Sequence, residues 1–136
     1  MATVDIKRPY GTKNDWTWET VDDCMNVHED IDQGVTDHRL CEVAIGLFPS
    51  DLHIDQVSVT LENAPGAGKS VAVSATNGVS TITATVADTD TSASSTTNNF
   101  DWDASAQPLT ISYTSTAGAT QGHGSIRVDY HRILIT

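Results

Sequence analysis

The sequence is poor in positive charge, in cysteine and in long apolar runs. Lys and Arg total 7 against 18 Asp and Glu, which gives a formal net charge of -11. A surface of this charge repels phosphate backbones, so we expect no nucleic-acid partner. No apolar run approaches the ~18 residues of a membrane-spanning helix, so we expect no membrane partner either. The first residues lack the apolar segment of a secretory signal, which predicts a protein made and kept in the cytoplasm or released by lysis.

Recognisable catalytic arrangements are missing as well. The five histidines are scattered along the chain, and there is no Gly-x-Ser-x-Gly elbow to carry a nucleophile. Carboxylates are plentiful, but none stands out as the acid and base pair of a glycosidase. These features predict a protein that is not an enzyme and that holds no cofactor.

The 136 residues suffice for one domain with its own core, preceded by an N-terminal segment of different character. Residues 1–38 are polar and acidic, and we interpret them as an extended arm or anchoring segment. Residues 39–136 are predicted to form the folded body. The arm contains three aromatic residues that would hold it on the body or on a neighbouring subunit: Tyr10, Trp16 and Trp18.

The second half of the arm carries two conflicting patterns. Four residues recur at helical spacing and favour a short helix: Val21, Cys24, Met25 and His28. The stretch 17–21 alternates instead and also suits a strand. Both interpretations stay open at this level.

From residue 39 onward, apolar and polar residues alternate with period two. Alternation with Thr and Ser on the second face is typical of antiparallel strands that have one wet face. Short strands at this density predict an all-β protein, an antiparallel β-sandwich or jelly roll. The predicted inward-facing residues form six groups: Cys41, Val43, Ile45 and Leu47; Val57, Val59 and Leu61; Val71, Val73 and Ala75; Ile82, Ala84 and Val86; Leu109, Ile111 and Tyr113; and Ile126, Val128 and Tyr130.

One of these predicted strands changes phase. Leu52 and Ile54 occupy even positions, whereas the inward-facing residues resume at the odd-numbered Val57. One extra residue near Asp55 and Gln56 reconciles the two halves, which predicts a β-bulge there.

Three short motifs carry a turn or a ligand signal. Asn77-Gly78 predicts a hairpin with a type I′ turn, in which both residues have positive φ. Residues 66–70, Gly-Ala-Gly-Lys-Ser, end like a phosphate-binding loop, but a strand pattern follows instead of a helix, so we predict a Pro-Gly hairpin connection. The acidic stretch 30–34 lacks the spacing of an EF-hand, which leaves a solvated surface or a looser carboxylate site for a cation.

The two cysteines allow three interpretations. Reduced, buried thiols are favoured because nothing indicates secretion. A disulfide between Cys24 and Cys41 is the second, since a protein released by lysis meets an oxidising medium. The third is a zinc site formed by both thiolates with His28 and His38, although this spacing matches no common finger.

Asp101-Trp102-Asp103 combines an aromatic ring with flanking acids. Such a group can form a platform for a sugar, with Tyr113 and Tyr130 as further contacts. The alternative is a tryptophan that covers the end of the sandwich.

The stretch from Val57 through the Pro-Gly-Ala-Gly-Lys-Ser segment and Thr-Ile-Thr-Ala-Thr-Val to Leu109-Thr-Ile-Ser-Tyr resembles jelly-roll structural proteins of tailed bacteriophages. Many of these are capsid decoration (cement) proteins or heads of tail fibres. The likeness covers about residues 40–136 and carries over no catalytic residue. It implies a virion protein that binds the major capsid protein as a homotrimer and stabilises the assembled head. In that case Tyr10, Trp16 and Trp18 of the arm are the candidate capsid-anchoring residues. A carbohydrate-binding or fibre-head module is the alternative.

Overall fold

The computed structural model describes residues 3–6, 22–47 and 51–132, and every regular element within these ranges is a β-strand. This confirms the predicted all-β class. The strands are β1 (Thr3–Ile6), β2 (Asp22–Ile31), β3 (His38–Val43), β4 (Leu52–Leu61), β5 (Gly66–Thr76), β6 (Thr81–Asp88), β7 (Ser92–Ser95), β8 (Phe100–Trp102), β9 (Leu109–Ser115) and β10 (Gly122–Arg132).

Two antiparallel sheets pack face to face. The six-stranded sheet has the order β1-β2-β10-β4-β7, and β8 pairs with the same edge of β4 as β7 does. The four-stranded sheet has the order β3-β9-β5-β6. If β7 and β8 count as one interrupted strand, β2 to β10 form two four-stranded sheets between which the chain repeatedly crosses. This is the order of a jelly roll, so the predicted sandwich is confirmed, with β1 as an additional edge strand.

The segment Asp22–Ile31 is a strand of the sandwich, which corrects two predictions. It pairs with β10 over ten register positions, so its backbone groups bond across the sheet and not along a helix. Met25, Val27 and Ile31 are buried in the core. The predicted short helix is therefore wrong, and this half of residues 1–38 is not an arm.

The N-terminal strand β1 also belongs to the sheet, since it pairs with β2. Residues 7–21, which join the two strands in sequence, lie outside the described residues. The predicted anchors fall in this segment and stay predictions: Tyr10, Trp16 and Trp18.

The core follows the predicted alternation closely. All members of five of the six predicted inward-facing groups are buried, from Val57 in β4 to Tyr130 in β10. Thr and Ser fill the outward positions, where hydroxyls pair across strands, as between Ser74 Oγ and Thr83 Oγ1 at 2.8 Å. The sixth group, in β3, departs from the prediction at one end of the sandwich.

The predicted bulge in β4 is confirmed. Gln56 pairs with Asp129 and Ile54 with Tyr130, so Asp55 is the extra residue on the β4 side. The extra residue lets both halves of the strand keep their apolar side chains in the core, since a one-residue slip exchanges the two faces of a strand.

Residues 66–70 begin β5, and no helix follows them in the described chain. They therefore lack the helix N-terminus that a phosphate site of this type uses. Because β4 and β5 lie in different sheets, the connection before residue 66 crosses the sandwich, and the hairpin predicted there is wrong.

Candidate functional site

One end of the sandwich collects the exposed apolar side chains. Among the described residues, the large hydrophobics that remain exposed are Ile45 (55%), Leu47 (43%) and Val79 (81%). Ile45 and Leu47 follow the last residue of β3, and Val79 lies in the turn between β5 and β6. Both turns adjoin the first residues of β9, because Val43 pairs with Leu109 and Thr76 with Thr110. We call this surface, residues 44–47 and 77–80, the hydrophobic end.

The backbone explains why Ile45 and Leu47 are exposed. Gly46 has φ +83°, a conformation that ends the extended strand. Its N–H donates to the carbonyl of Ala104 at 2.8 Å, and the N–H of Leu47 donates to Ala44 at 3.2 Å. The predicted burial of Ile45 and Leu47 is therefore wrong, because the chain turns across the end of the sandwich at this point.

Val79 is held out by a well-bonded turn. The side-chain oxygen of Asn77 accepts hydrogen bonds from the N–H groups of Val79 (2.9 Å) and Ser80 (2.7 Å). Gly78 has φ +92°, but Asn77 has no positive φ, so the predicted hairpin is present and its type I′ geometry is wrong. The amide of Asn77 also donates to the carbonyl of Asp101 at 3.4 Å, which ties the turn to the opposite sheet.

Three aspartates lie near the hydrophobic end. Partial burial and the neighbouring charge of Asp103 raise the pKa of Asp51. Hydrogen bonds from the hydroxyl (2.6 Å) and N–H (3.1 Å) of Ser105 lower the pKa of Asp103. Asp101 is the third, with a largely exposed side chain. A surface with exposed apolar side chains and acidic residues nearby is complementary to a partner surface that has hydrophobic pockets next to Lys or Arg.

A histidine pair lies beside this end, on the outer face of the six-stranded sheet. His53 and His131 are register partners, with ring centroids 5.1 Å apart. His53 Nδ1 lies 2.6 Å from Asp101 Oδ1, and His131 Nδ1 lies 2.8 Å from Asp55 Oδ2. Sequence spacing does not reveal this histidine pair, because the two residues are distant in the chain and the β4–β10 register brings them together.

The described residues contain no group of three or more His, Cys, Asp or Glu side chains arranged to hold a metal ion. The candidate zinc ligands illustrate this. His28 stacks on His123 at 5.7 Å, whereas His38 meets the edge of Tyr113 at 5.3 Å. The first pair lies on the six-stranded sheet and the second on β3 and β9 of the other sheet.

The two cysteines lie in different sheets and are free thiols. Cys24 is buried in β2, and Cys41 is half-buried in β3. The structure thus contains no disulfide between them. Burial, with a smaller effect of the neighbouring Glu42 charge, raises the pKa of the Cys41 thiol to about 11.

The predicted sugar platform is not available. Trp102 is fully buried, and its indole N–H donates to the carbonyl of Gln107 at 2.7 Å. Tyr113 and Tyr130 are buried as well, so none of the three rings offers a face to a ligand. Asp101 and Asp103 are exposed, but they flank a core residue.

The described residues include no helix with the length and apolarity needed to cross a membrane. No protein-family model matches this chain, and no curated protein matches it in sequence.

Proposed function

We propose that this protein is a structural component of a tailed-phage virion that decorates the assembled capsid. It binds the major capsid protein from outside, as a homotrimer, and stabilises the shell against expansion. The observation that carries the proposal is the hydrophobic end on a jelly roll whose lateral faces are polar. Ile45, Leu47 and Val79 are the exposed large apolar side chains of the described chain, and all three lie at that end.

The arrangement suits binding to a surface that presents many identical sites. Burial of apolar side chains contributes about 25 cal/mol of binding free energy per Å² removed from water. The three exposed apolar side chains of the hydrophobic end can therefore form the centre of a small interface. The aspartates near them, including Asp101 and Asp103, add charge complementarity toward a basic partner and oppose association of two copies through this end. Symmetric copies then combine weak individual contacts into firm attachment.

Residues 7–21 supply a second part of the same contact in this proposal. Ile6 pairs with Met25 and Asp22 with His131, so the connector 7–21 leaves and re-enters the fold near the hydrophobic end. It contains the predicted anchors Trp16 and Trp18, whose role on the capsid is part of this proposal.

Cosedimentation with undecorated capsids tests the proposal. The variant Ile45→Ser/Leu47→Ser/Val79→Ser alters only exposed side chains, so it should fold as the wild type does and lose capsid binding at least tenfold, about 1.4 kcal/mol. The matched control lies at the opposite end, where Thr89→Ser/Thr91→Ser should bind unchanged. Wild-type protein that stays in the supernatant with intact capsids would overturn the function. Undiminished binding of the triple variant would overturn the hydrophobic end as its docking surface.

Substitution of Trp16 and Trp18 is a separate test of the proposal. Trp16→Ala/Trp18→Ala leaves β1 and its pairing with β2 in place, unlike a deletion of the whole segment. We expect it to weaken cosedimentation without changing the melting temperature. Equal binding of this variant would remove the two tryptophans from the proposal.

A further inference from the structure

The N-terminal strand β1 is attached to the fold through one neighbour. It pairs antiparallel with β2 over four register positions, from Thr3↔His28 to Ile6↔Met25. Within the described chain it has no other strand partner. The jelly roll formed by β2 to β10 is complete without it, so β1 is an addition to an edge and not part of the two-sheet core.

The connector between β1 and β2 is far longer than their geometry requires. Antiparallel neighbours are usually joined by two to five residues, whereas residues 7–21 separate these two strands. Fifteen residues span up to about 50 Å when extended. A domain of this length has a radius of gyration of about 14 Å, so β1 can reach the same edge of a neighbouring molecule.

The edge that β1 covers is one that requires protection. β2 is ten residues long and pairs with β10 along its other side. Without β1 its outer side would present a long row of unpaired N–H and C=O groups, the kind of edge at which chains associate. The other edge of this sheet is formed by β7 and β8, which are only four and three residues long.

We propose that β1 of one copy pairs with β2 of a second copy in the assembled protein. The backbone bonds are the same whether the strand comes from the same chain or from its neighbour. In a closed ring of copies, exchange therefore covers the same four positions of every β2 edge while it links the subunits, as in domain swapping. Four register pairs per junction, repeated around the ring, join the copies without an apolar interface between their polar lateral faces.

Disulfide trapping between single-cysteine variants tests the exchange. Asp5 and Asn26 are register partners, and antiparallel partners have Cα atoms about 4.5–5.5 Å apart, within the range of a disulfide. Both native cysteines are first replaced, Cys24→Ser and Cys41→Ser. One preparation then carries Asp5→Cys and the other Asn26→Cys, and the two are mixed, unfolded, refolded together and oxidised.

Exchange predicts a disulfide-linked pair of the two variants on a non-reducing gel. Thiols held in register have a millimolar effective concentration, so we expect roughly a hundredfold more cross-linked dimer than from an unpaired control. That control combines Asp5→Cys with Asp30→Cys, a β2 residue opposite no residue of β1. A yield no higher than the control would overturn the proposal.

Two further measurements test the inference, and the second of them needs no introduced cysteine. The double variant Asp5→Cys/Asn26→Cys should give linked dimers and larger species, whereas pairing within one chain gives only monomers with an internal bond. Deletion of residues 1–6 should leave a folded monomer, and an oligomer that survives this deletion unchanged would contradict exchange. None of these measurements uses capsids, so their outcome is separate from that of the proposed function.

Discussion

Asp55 is the extra residue of the β4 bulge, and its Oδ2 atom lies 2.8 Å from Nδ1 of His131 on the neighbouring strand. An ionised carboxylate only accepts hydrogen bonds, so with Asp55 ionised the donor in this contact is the Nδ1–H of His131. The bulge thus does two things: it restores the inward alternation of β4, and it places a carboxylate beside the histidine pair.

Deleting Asp55 should be tolerated, because the deletion leaves Leu52, Ile54 and Val57 in regular alternation with their present partners. The deletion removes the partly exposed contact between Asp55 and His131, which is worth about 0.2–1 kcal/mol. The free energy of unfolding measured by urea denaturation should therefore fall by about that amount. Deleting Ser58 is the matched control: it forces one half of β4 onto the wrong face and should cost about 3 kcal/mol or more. Equal losses in the two deletions would contradict this assignment of the bulge.

Much of the body was predictable because burial leaves a periodic mark on the sequence. The phase change between Ile54 and Val57 was enough to locate the bulge, since one residue exchanges the two faces of a strand. Alternation likewise identified the core positions of five strands. Local patterns failed where the conformation of a segment depends on a strand far away in the sequence. The residues of β2 have partly helical spacing, but pairing with β10 over ten register positions makes the segment a strand.

The candidate site was the least predictable part. Ile45 and Leu47 continue the alternation of β3, and only the turn at Gly46, which bonds to Ala104, takes them out of the core. The alternation shows which side chains are apolar, but it does not show where the strand ends. The pairing of His53 with His131 depends on the register between β4 and β10, and residue spacing in a single sequence does not reveal that register.

Ser115 holds the loop before β3 to the end of β9. Its hydroxyl accepts a hydrogen bond from the N–H of Val35 at 3.2 Å and donates to the carbonyl of Asp32. Ser115→Ala leaves the N–H of Val35 and the carbonyl of Asp32 without this partner at a partly buried site, which should cost about 0.5–1.5 kcal/mol in chemical denaturation. Ser112→Ala, on the outer face of the same strand, should stay within about 0.5 kcal/mol of wild type. A loss at Ser115 no larger than that at Ser112 would show that water satisfies these groups.

Trp102 is a structural residue by its burial, and its substitution should affect stability. Trp102→Ala should cost about 3–5 kcal/mol, as for other large aromatic deletions in a core. Trp102→Phe keeps most of the ring but leaves the carbonyl of Gln107 without its donor, so we expect a smaller loss of about 1–3 kcal/mol. Thermal and urea unfolding measure both. Full stability of Trp102→Ala would contradict its place in the core.

The thiol of Cys41 should react slowly at neutral pH, because burial raises its pKa to about 11. A pKa raised by two units lowers the thiolate fraction about a hundredfold, and the greater nucleophilicity of the more basic thiolate offsets part of this. The net expectation is labelling roughly tenfold slower than for an exposed cysteine. A disulfide reagent applied at pH 8 to the Cys24→Ser variant isolates this group, and the unfolded protein in urea gives the reference rate. Equal rates in the folded and unfolded protein would contradict the raised pKa.

The same thiol makes stability depend on pH in a defined window. The folded pKa lies above the ordinary thiol value of 9.0 that holds in the unfolded chain, so the folded state holds the proton more tightly. The resulting stabilisation is complete below that unfolded value and is lost as pH rises toward about 11. Melting temperatures measured across this window should therefore fall more steeply for the wild type than for Cys41→Ala, which has no thiol to ionise. Parallel curves for the two proteins would show that the Cys41 thiol ionises as readily in the folded state as in the unfolded chain.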